Sequence, residues 1–212
     1  MKIGRRGVLA GGALALGGAG AYALTRGSGG EPSVQEEGAP TAVEDDRAAG
    51  LAARFAPDLY FDARERWFPT DPLRYASDRD GDLVVGGFDA LDGYTADVRD
   101  GGPPAPTVYY RVVEYPDDPL VVVQYWVYSA FDQFTTNFHW HDWELLQTFV
   151  DTDADRAVCH AASAHSRAVP NNEYLDPDAE RAAVLSELGS HSSALGLNAT
   201  RDRFERLPLD DS

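Results

Sequence analysis

The feature that most constrains this chain is a pair of β-rich runs closed by a proline turn. Thr107–Glu114 (TVYYRVVE) and residues 120–129 (LVVVQYWVYS) are dense in β-branched and aromatic residues. Such side chains suit a pleated, half-buried surface better than a helix. Between them, Tyr115-Pro116-Asp117-Asp118-Pro119 supplies the turn: the prolines preset φ and the aspartates hydrogen-bond their own backbone. An antiparallel hairpin follows. Residues 144–151 and 156–163, around Thr152-Asp153-Ala154-Asp155, predict a second one. Upstream, Asp45 or Asp46 can cap a short helix over residues 47–55 that stops before Pro57. Residues 58–61 read as a strand, and residues 83–85 as another beyond a turn at 78–82. Asp80-Gly81-Asp82 lacks the spacing and distal Glu of a calcium loop and is read as that plain turn. Residues 177–188 predict a helix or helical loop, and residues 203–209 a last strand. Short strands, tight turns and little helix define a mainly β chain: an antiparallel β-sandwich with few short helices.

The start of the chain reads as an address. Lys2, Arg5 and Arg6 precede a weakly apolar, Gly-rich run over residues 7–20, and Ala21-Tyr22-Ala23 offers a cleavage site. Residues 1–24 are therefore expected to be a twin-arginine-type signal peptide, sending the protein to the exterior or the cell surface. The run is short for a membrane span, which needs about 20 strongly apolar residues; retention as a signal-anchor is the alternative. Residues 25–47, rich in Gly, Pro and acid without apolar periodicity, predict a disordered acidic linker. Residues 48–212 make one domain. A sequon, Asn198-Ala199-Thr200, fits an exported protein.

Charge narrows the partners. With 18 Lys+Arg against 35 Asp+Glu the net is −17, a field that repels phosphate backbones, so nucleic acid is excluded as a partner. The only lysine is Lys2, and 24 of the acids are Asp. An acidic, lysine-poor surface over an ordinary core is the composition expected of a salt-adapted, halophilic protein, since concentrated salt screens repulsion within a few ångströms. Most aspartates are then solubility chemistry. A single cysteine, Cys159, excludes an internal disulfide and a Cys-based zinc site.

Against that background one segment stands apart. His139-Trp140-His141-Asp142-Trp143-Glu144 packs two imidazoles, two carboxylates and two indoles into six positions. Charged and imidazole side chains are seldom buried unpaired, so grouping them between strands demands a partner, and a divalent cation answers most simply. If Asp142 opens a strand, Asp142 and Glu144 share a face. On a straight strand His139 faces away, and it joins them only if residues 139–141 are loop or bulge. Asp132, on the preceding loop, can close the set. One nitrogen among several carboxylate oxygens suits Ca²⁺, Mg²⁺ or Mn²⁺ better than Zn²⁺; a His139/His141/Asp142 set would favour zinc instead. The plainer reading has the histidines bonded to backbone and the carboxylates to arginines. Ser163-Ala164-His165-Ser166 and Gly189-Ser190-His191-Ser192 place further histidines beside hydroxyls, so His141, His165 and His191 are candidates to support the ligands from behind. A hydroxyl nucleophile with a His base and Asp142 as orienter is conceivable, but no G-x-S-x-G elbow occurs. His160, beside Cys159, reads as a strand residue. Trp140 and Trp143 can form an apolar wall for a sugar face or belong to the core, the latter being the reading for Trp143.

The hexapeptide resembles the G-H-R-H-D-W-E heptapeptide of the necrosis- and ethylene-inducing protein-like family. The resemblance extends to the aromatic run from Gln124 to Asp132 and to Ala162-Ser163-Ala164-His165-Ser166. A related vacuolar protein sorting-associated group looks similar from Phe55-Ala56-Pro57 through Trp67-Phe68-Pro69-Thr70 and at Leu188-Gly189-Ser190-His191. Phe138 stands in the place of the family's Gly, Trp140 in that of its Arg, and the Asp-to-His interval is one residue shorter. The resemblance implies a β-sandwich with one divalent cation held by Asp132, His139, Asp142 and Glu144. The cation is then expected to bind a polar ligand, such as a lipid headgroup or glycan, at the metal face, with peripheral membrane contact one form this could take and no catalytic residue assigned. Two alternatives stand beside it: a metal-dependent hydrolase using Glu144 or His141 as base, and a cation that only closes the fold.

Overall fold

The computed structural model describes residues 2–4, 41–43, 45–134, 138–164, 172–175, 180–195 and 204–207. Most of the expected signal and linker, the sequon and His165 lie outside them. The described elements are strands β1 (Lys2–Gly4) and β2 (Thr41–Ala42), helix α1 (Asp45–Arg54), β3 (Asp58–Asp62), β4 (Ser77–Arg79) and β5 (Asp82–Val84). Helix α2 (Gly87–Gly101) follows, then β6 (Thr107–Glu114), β7 (Leu120–Asp132), β8 (His139–Asp151) and β9 (Arg156–Ser163). The last are β10 (Asn172–Leu175), β11 (Ala183–Ser186), β12 (Ser193–Leu195) and β13 (Phe204–Arg206).

The two predicted hairpins form the centre of the larger sheet, ordered β1-β6-β7-β8-β9-β10 with β2 also on β6. The β6–β7, β7–β8, β8–β9 and β9–β10 pairs are antiparallel, while β1 lies parallel to the start of β6. The smaller sheet runs β12-β11-β3-β13 and contains one parallel pair, β3 with β11. Alternation along β7 explains the layering. Val121, Val123 and Tyr125 join Val108, Val112, Leu146, Leu59, Phe61 and Val184 in one buried cluster between the sheets. Ala48 and Ala52 of α1 enter that cluster, spaced one helical turn apart, and the Tyr125 hydroxyl donates to the Ala52 carbonyl at 2.9 Å. The chain is a mainly β, antiparallel sandwich, as its patterning predicts.

Opposite-parity residues of β7 face outward, and there Tyr128 and Ala130 are buried under Ala90 and Tyr94 of α2. This 15-residue helix is not among the elements that the patterning predicts. Its glycines lower helix propensity by about 1 kcal/mol each, yet two of them permit close packing. A Cβ on Gly93 would lie 2.4 Å from the Tyr75 ring, and one on Gly87 1.9 Å from the Trp140 indole. Residues 177–188 also need correction: Ala183–Ser186 is strand β11, not helix. Its residues Val184 and Leu185 are buried and pair with β3, so tertiary pairing prevails over local preference. Asp80-Gly81 is the β4–β5 turn, with both residues at positive φ. Among the described residues no helix is long and apolar enough to cross a membrane.

Candidate metal centre

The end of the sandwich where β7 finishes and β8 begins gathers the predicted residues. Asp132 is the last residue of β7 and pairs across the ladder with His139, the first of β8. Ser129 pairs with Asp142 and Val127 with Glu144. Directly opposed residues share a face, so Asp142 and Glu144 follow Val127, which packs on the main core. His139 is three positions before Asp142 and would face away on a regular strand. His141 removes the obstacle: its φ is +63°, and the ladder skips the Ala130–His141 pair. A left-handed residue turns the chain locally without adding a position, doing what the expected bulge would do.

Asp132, His139 and Asp142 each offer one ligand atom within 4.8 Å of the others. The His139 ring lies between the aspartates, Nδ1 3.6 Å from Asp132 Oδ2 and Nε2 3.6 Å from Asp142 Oδ1. Each aspartate is anchored by its other oxygen. Asp132 Oδ1 accepts from the Phe134 backbone N–H at 2.6 Å, and Asp142 Oδ2 accepts from His191 Nδ1 at 2.6 Å. Both aspartates are buried, whereas the His139 side chain keeps 44% of its exposure. Anchoring one oxygen and turning the other to a common point is how ligand carboxylates are held.

Glu144 lies beside this group. Its Oε2 accepts a short hydrogen bond from Ser163 Oγ, and Ser163 Oγ accepts from the Leu145 N–H. Burial, reinforced by the charge of Asp142, pushes the Glu144 carboxyl up to about 8. Burial likewise raises Asp132, with Asp142 adding to it. Burial would raise Asp142 too, but His139 and His191 hold it below its ordinary value. Burial raises two of these carboxyls, with Asp142 adding to each, and a nearby cation would offset both effects.

Of the three histidines considered as support, His191 bonds Asp142, His141 turns elsewhere and His165 lies outside the described residues. The His141 Nδ1 meets the Tyr128 hydroxyl at 2.9 Å, burial lowers its pKa, and it is not part of the ligand-bearing group; a zinc set with His139 and His141 is not assembled. His191, buried, is raised to about 9: burial opposes its charge, but Asp142 and Glu65 outweigh that. Glu65 is the member of this network that the sequence conceals. Flanked by Arg64 and Arg66, it looks like half of a surface ion pair, yet it is buried. Burial works to raise it, but His191 and the backbone N–H groups of Trp67 and Gly189 hold it at about 2. No serine nucleophile is assembled from the described pairs: Ser163 bonds Glu144 and Ser190 Oγ donates to Glu187. His160 meets Thr148 inside β8–β9, a strand residue as read.

The tryptophans differ from expectation. Trp143 is 40% exposed and Trp140 38%, so Trp143 is not core. Trp143 leans on Tyr109 and Tyr128, and Trp140 lies on Gly87 beside Phe88, ring centroids 5.0 Å apart. Phe88, Phe134 and Phe138 are exposed as well.

No family model matches the chain, and no curated protein matches it. Solved structures that it resembles include one described as NLPPya in complex with mannosamine, 22% identical over 80% of this chain and 76% of that one, with a TM-score of 0.47. Another is described as a toxin fold for microbial attack and plant defense (23% identity, 80% and 76% covered, TM-score 0.48). A third is necrosis and ethylene inducing protein 2 from the causal agent of cocoa's witches' broom disease (18%, 75% and 70%, TM-score 0.43). The likeness is one of fold at most, and the chemistry of the site stands on this chain's own residues.

Proposed function

We propose that this protein is an exported, salt-adapted β-sandwich that holds one divalent cation at Asp132, His139 and Asp142, with Glu144 joining from the same strand, and uses it to bind a polar ligand. The observation that carries the reading is the pair of buried aspartates, each anchored by one oxygen and turning the other to a half-exposed imidazole. The donor set fits a hard cation. One nitrogen among several carboxylate oxygens suits Ca²⁺, Mg²⁺ or Mn²⁺ better than Zn²⁺. A bound cation would supply positive charge and coordination positions for ligand hydroxyls. The exposure of His139, with exposed indoles and phenyl rings on the same strand and on α2, supports an open rather than a closed site. The ligand class is a lipid headgroup or glycan presenting vicinal hydroxyls. Export rests on the Lys2, Arg5, Arg6 segment, and salt adaptation on the −17 charge with one lysine.

The test is metal content by mass spectrometry on protein purified without chelator, beside Asp142→Ala, followed by glycan and headgroup binding with and without EDTA. One cation per chain, lost in the variant, together with EDTA-sensitive binding, is expected. Metal-free protein throughout, or metal retained in the variant, would refute the site. A hydrolytic reading has one specific observation in its favour: a carboxyl near 8 sits in the range useful to a general base. It requires turnover of an ester or phosphoester that Glu144→Gln abolishes while the cation stays bound.

A further inference from the structure

Glu65 and His191 belong to no part of the cation cluster, yet together they hold the back of one ligand. Glu65 Oε1 accepts from the backbone N–H groups of Arg66 and Trp67 at 2.7 and 2.8 Å. Its Oε2 accepts from the Gly189 N–H at 2.8 Å. That carboxylate thus ties the loop after β3 to the loop after β11. On the second loop His191 presents Nε2 to Glu65 Oε1 at 3.5 Å and Nδ1 to Asp142 Oδ2 at 2.6 Å. Nε2 is fully buried and has no hydrogen bond of good geometry, so Glu65 is what faces it. The His191 backbone is also held at φ +54°, the left-handed region that residues other than glycine seldom adopt. Gly189, at φ +80°, makes this loop possible: a Cβ there would come within 2.8 Å of Gln133, whose N–H donates to the Gly189 carbonyl. Four segments therefore converge on the orientation of a single aspartate.

We infer that Glu65 is a positioning residue for the cation, acting through His191 to fix Asp142 Oδ2 and so aim Oδ1 toward His139. The inference rests on the cation reading above and assigns a role to a residue outside the ligand set. Partners behind metal ligands typically contribute about 10- to 100-fold in affinity. Residues acting through one atom are non-additive.

The experiment titrates Ca²⁺ and Mn²⁺ by calorimetry into the full chain and its Glu65→Gln, His191→Gln and double variants. It also measures thermal unfolding in EDTA and in excess Ca²⁺. Asp71→Asn is the structural control, since Asp71 accepts from Leu73 N–H and the Tyr109 hydroxyl away from the cluster. Expected are a loss of about 10-fold or more in each single variant, a double variant no worse than the weaker-binding single, and a smaller Ca²⁺-induced rise in Tm. Asp71→Asn should lower Tm in EDTA and keep the Ca²⁺-induced rise. Wild-type affinity in Glu65→Gln, or additive losses in the double variant, overturns the inference while leaving the cation site standing. Wild type that binds no cation, or Asp142→Ala that binds as well as wild type, overturns the cation reading and this inference together. Should Glu65→Gln not fold, His191→Gln decides by the same affinity criterion.

Discussion

Substituting Gly87 by Ala places a methyl group where the Trp140 indole now lies. The added carbon would be 1.9 Å from Cδ1, 2.0 Å from Nε1 and 2.6 Å from Cγ of that ring. Carbon atoms rest about 3.5–4.0 Å apart, so the ring must withdraw by roughly 1.5 Å or rotate off the helix. Two effects then oppose. Alanine in place of glycine is worth at most about 1 kcal/mol here, because Gly87 opens α2 and the full value belongs to helix interiors, and overpacking costs about 1–3 kcal/mol. Trp140 is 38% exposed and can yield outward, which places the cost toward the lower end. The net is a destabilisation of about 0–2 kcal/mol, or a Tm lowered by up to roughly 4–8 °C for a domain of this size. Displacement of Trp140 from Phe88 should also shift its emission to the red. The assay is thermal unfolding by circular dichroism with tryptophan emission, read against Trp140→Phe to isolate that indole from the other three. A Tm that does not fall, or rises by up to about 2–4 °C from the helix gain alone, with unchanged emission, would refute the packing of α2 on Trp140.

Other perturbations probe the site directly. His139→Ala and Glu144→Ala should each abolish cation binding by calorimetry, whereas His160→Ala should leave it intact. His160→Ala should still destabilise the fold by about 2–4 kcal/mol in chemical denaturation, because it opens a cavity and strands the buried Thr148 hydroxyl. In EDTA, stability should fall as pH rises. His191, raised to about 9, contributes stability that is complete below its unfolded value near 6.5 and lost as pH passes 9. Glu144, raised to about 8, favours the fold while it keeps its proton, so its ionisation between about 4.5 and 8 weakens the fold further. Denaturation midpoints at pH 6.5 and 9 should therefore differ in EDTA by the equivalent of a few kcal/mol, since each tenfold change in proton affinity is worth roughly 1.4 kcal/mol; equal midpoints would contradict both assignments. Ser163→Ala should weaken cation binding modestly, since Glu144 loses the donor that orients it.

What the sequence made legible is what local chemistry decides. The β6–β7 and β8–β9 hairpins follow from β-branched alternation and turn residues, and their registers run through the predicted turns. Helix α1 was legible from its capping aspartates and the stop at Pro57, and a strand over residues 203–209 was read where the short β13 lies. Helix α2 was hidden because Gly87 and Gly93 argue against helix locally while serving Trp140 and Tyr75 at long range. Strand β11 was hidden because its partner β3 lies more than a hundred positions upstream. At the site, Asp132, His139 and Asp142 could be read from spacing, since β7 and β8 are adjacent and their ends must meet. Glu65 could not, because its burial depends on a loop more than a hundred residues later. Trp143 departs from expectation because a tryptophan beside a strand core is usually buried, and only the sheet's outer face shows that it is not.

Backbone strain marks the same location independently. Among the described residues five that are not glycine have positive φ. Asp80, Asp117 and Asp155 lie in the turns joining β4–β5, β6–β7 and β8–β9, where aspartate tolerates that conformation. The other two are His141, inside β8, and His191, in the loop that joins the antiparallel strands β11 and β12. One immediately precedes Asp142 and the other bonds it. His191 closes a turn, its N–H donating to the Glu187 carbonyl at 2.9 Å, whereas His141 gains no turn in return for roughly 1–3 kcal/mol. A sandwich selected for stability alone would straighten β8 at residue 141. Straightening it, however, would return His139 to the opposite face. The strain at His141 is thus spent on bringing His139 to Asp142, which supports a functional reading of that cluster over the plainer one in which its members merely satisfy their neighbours.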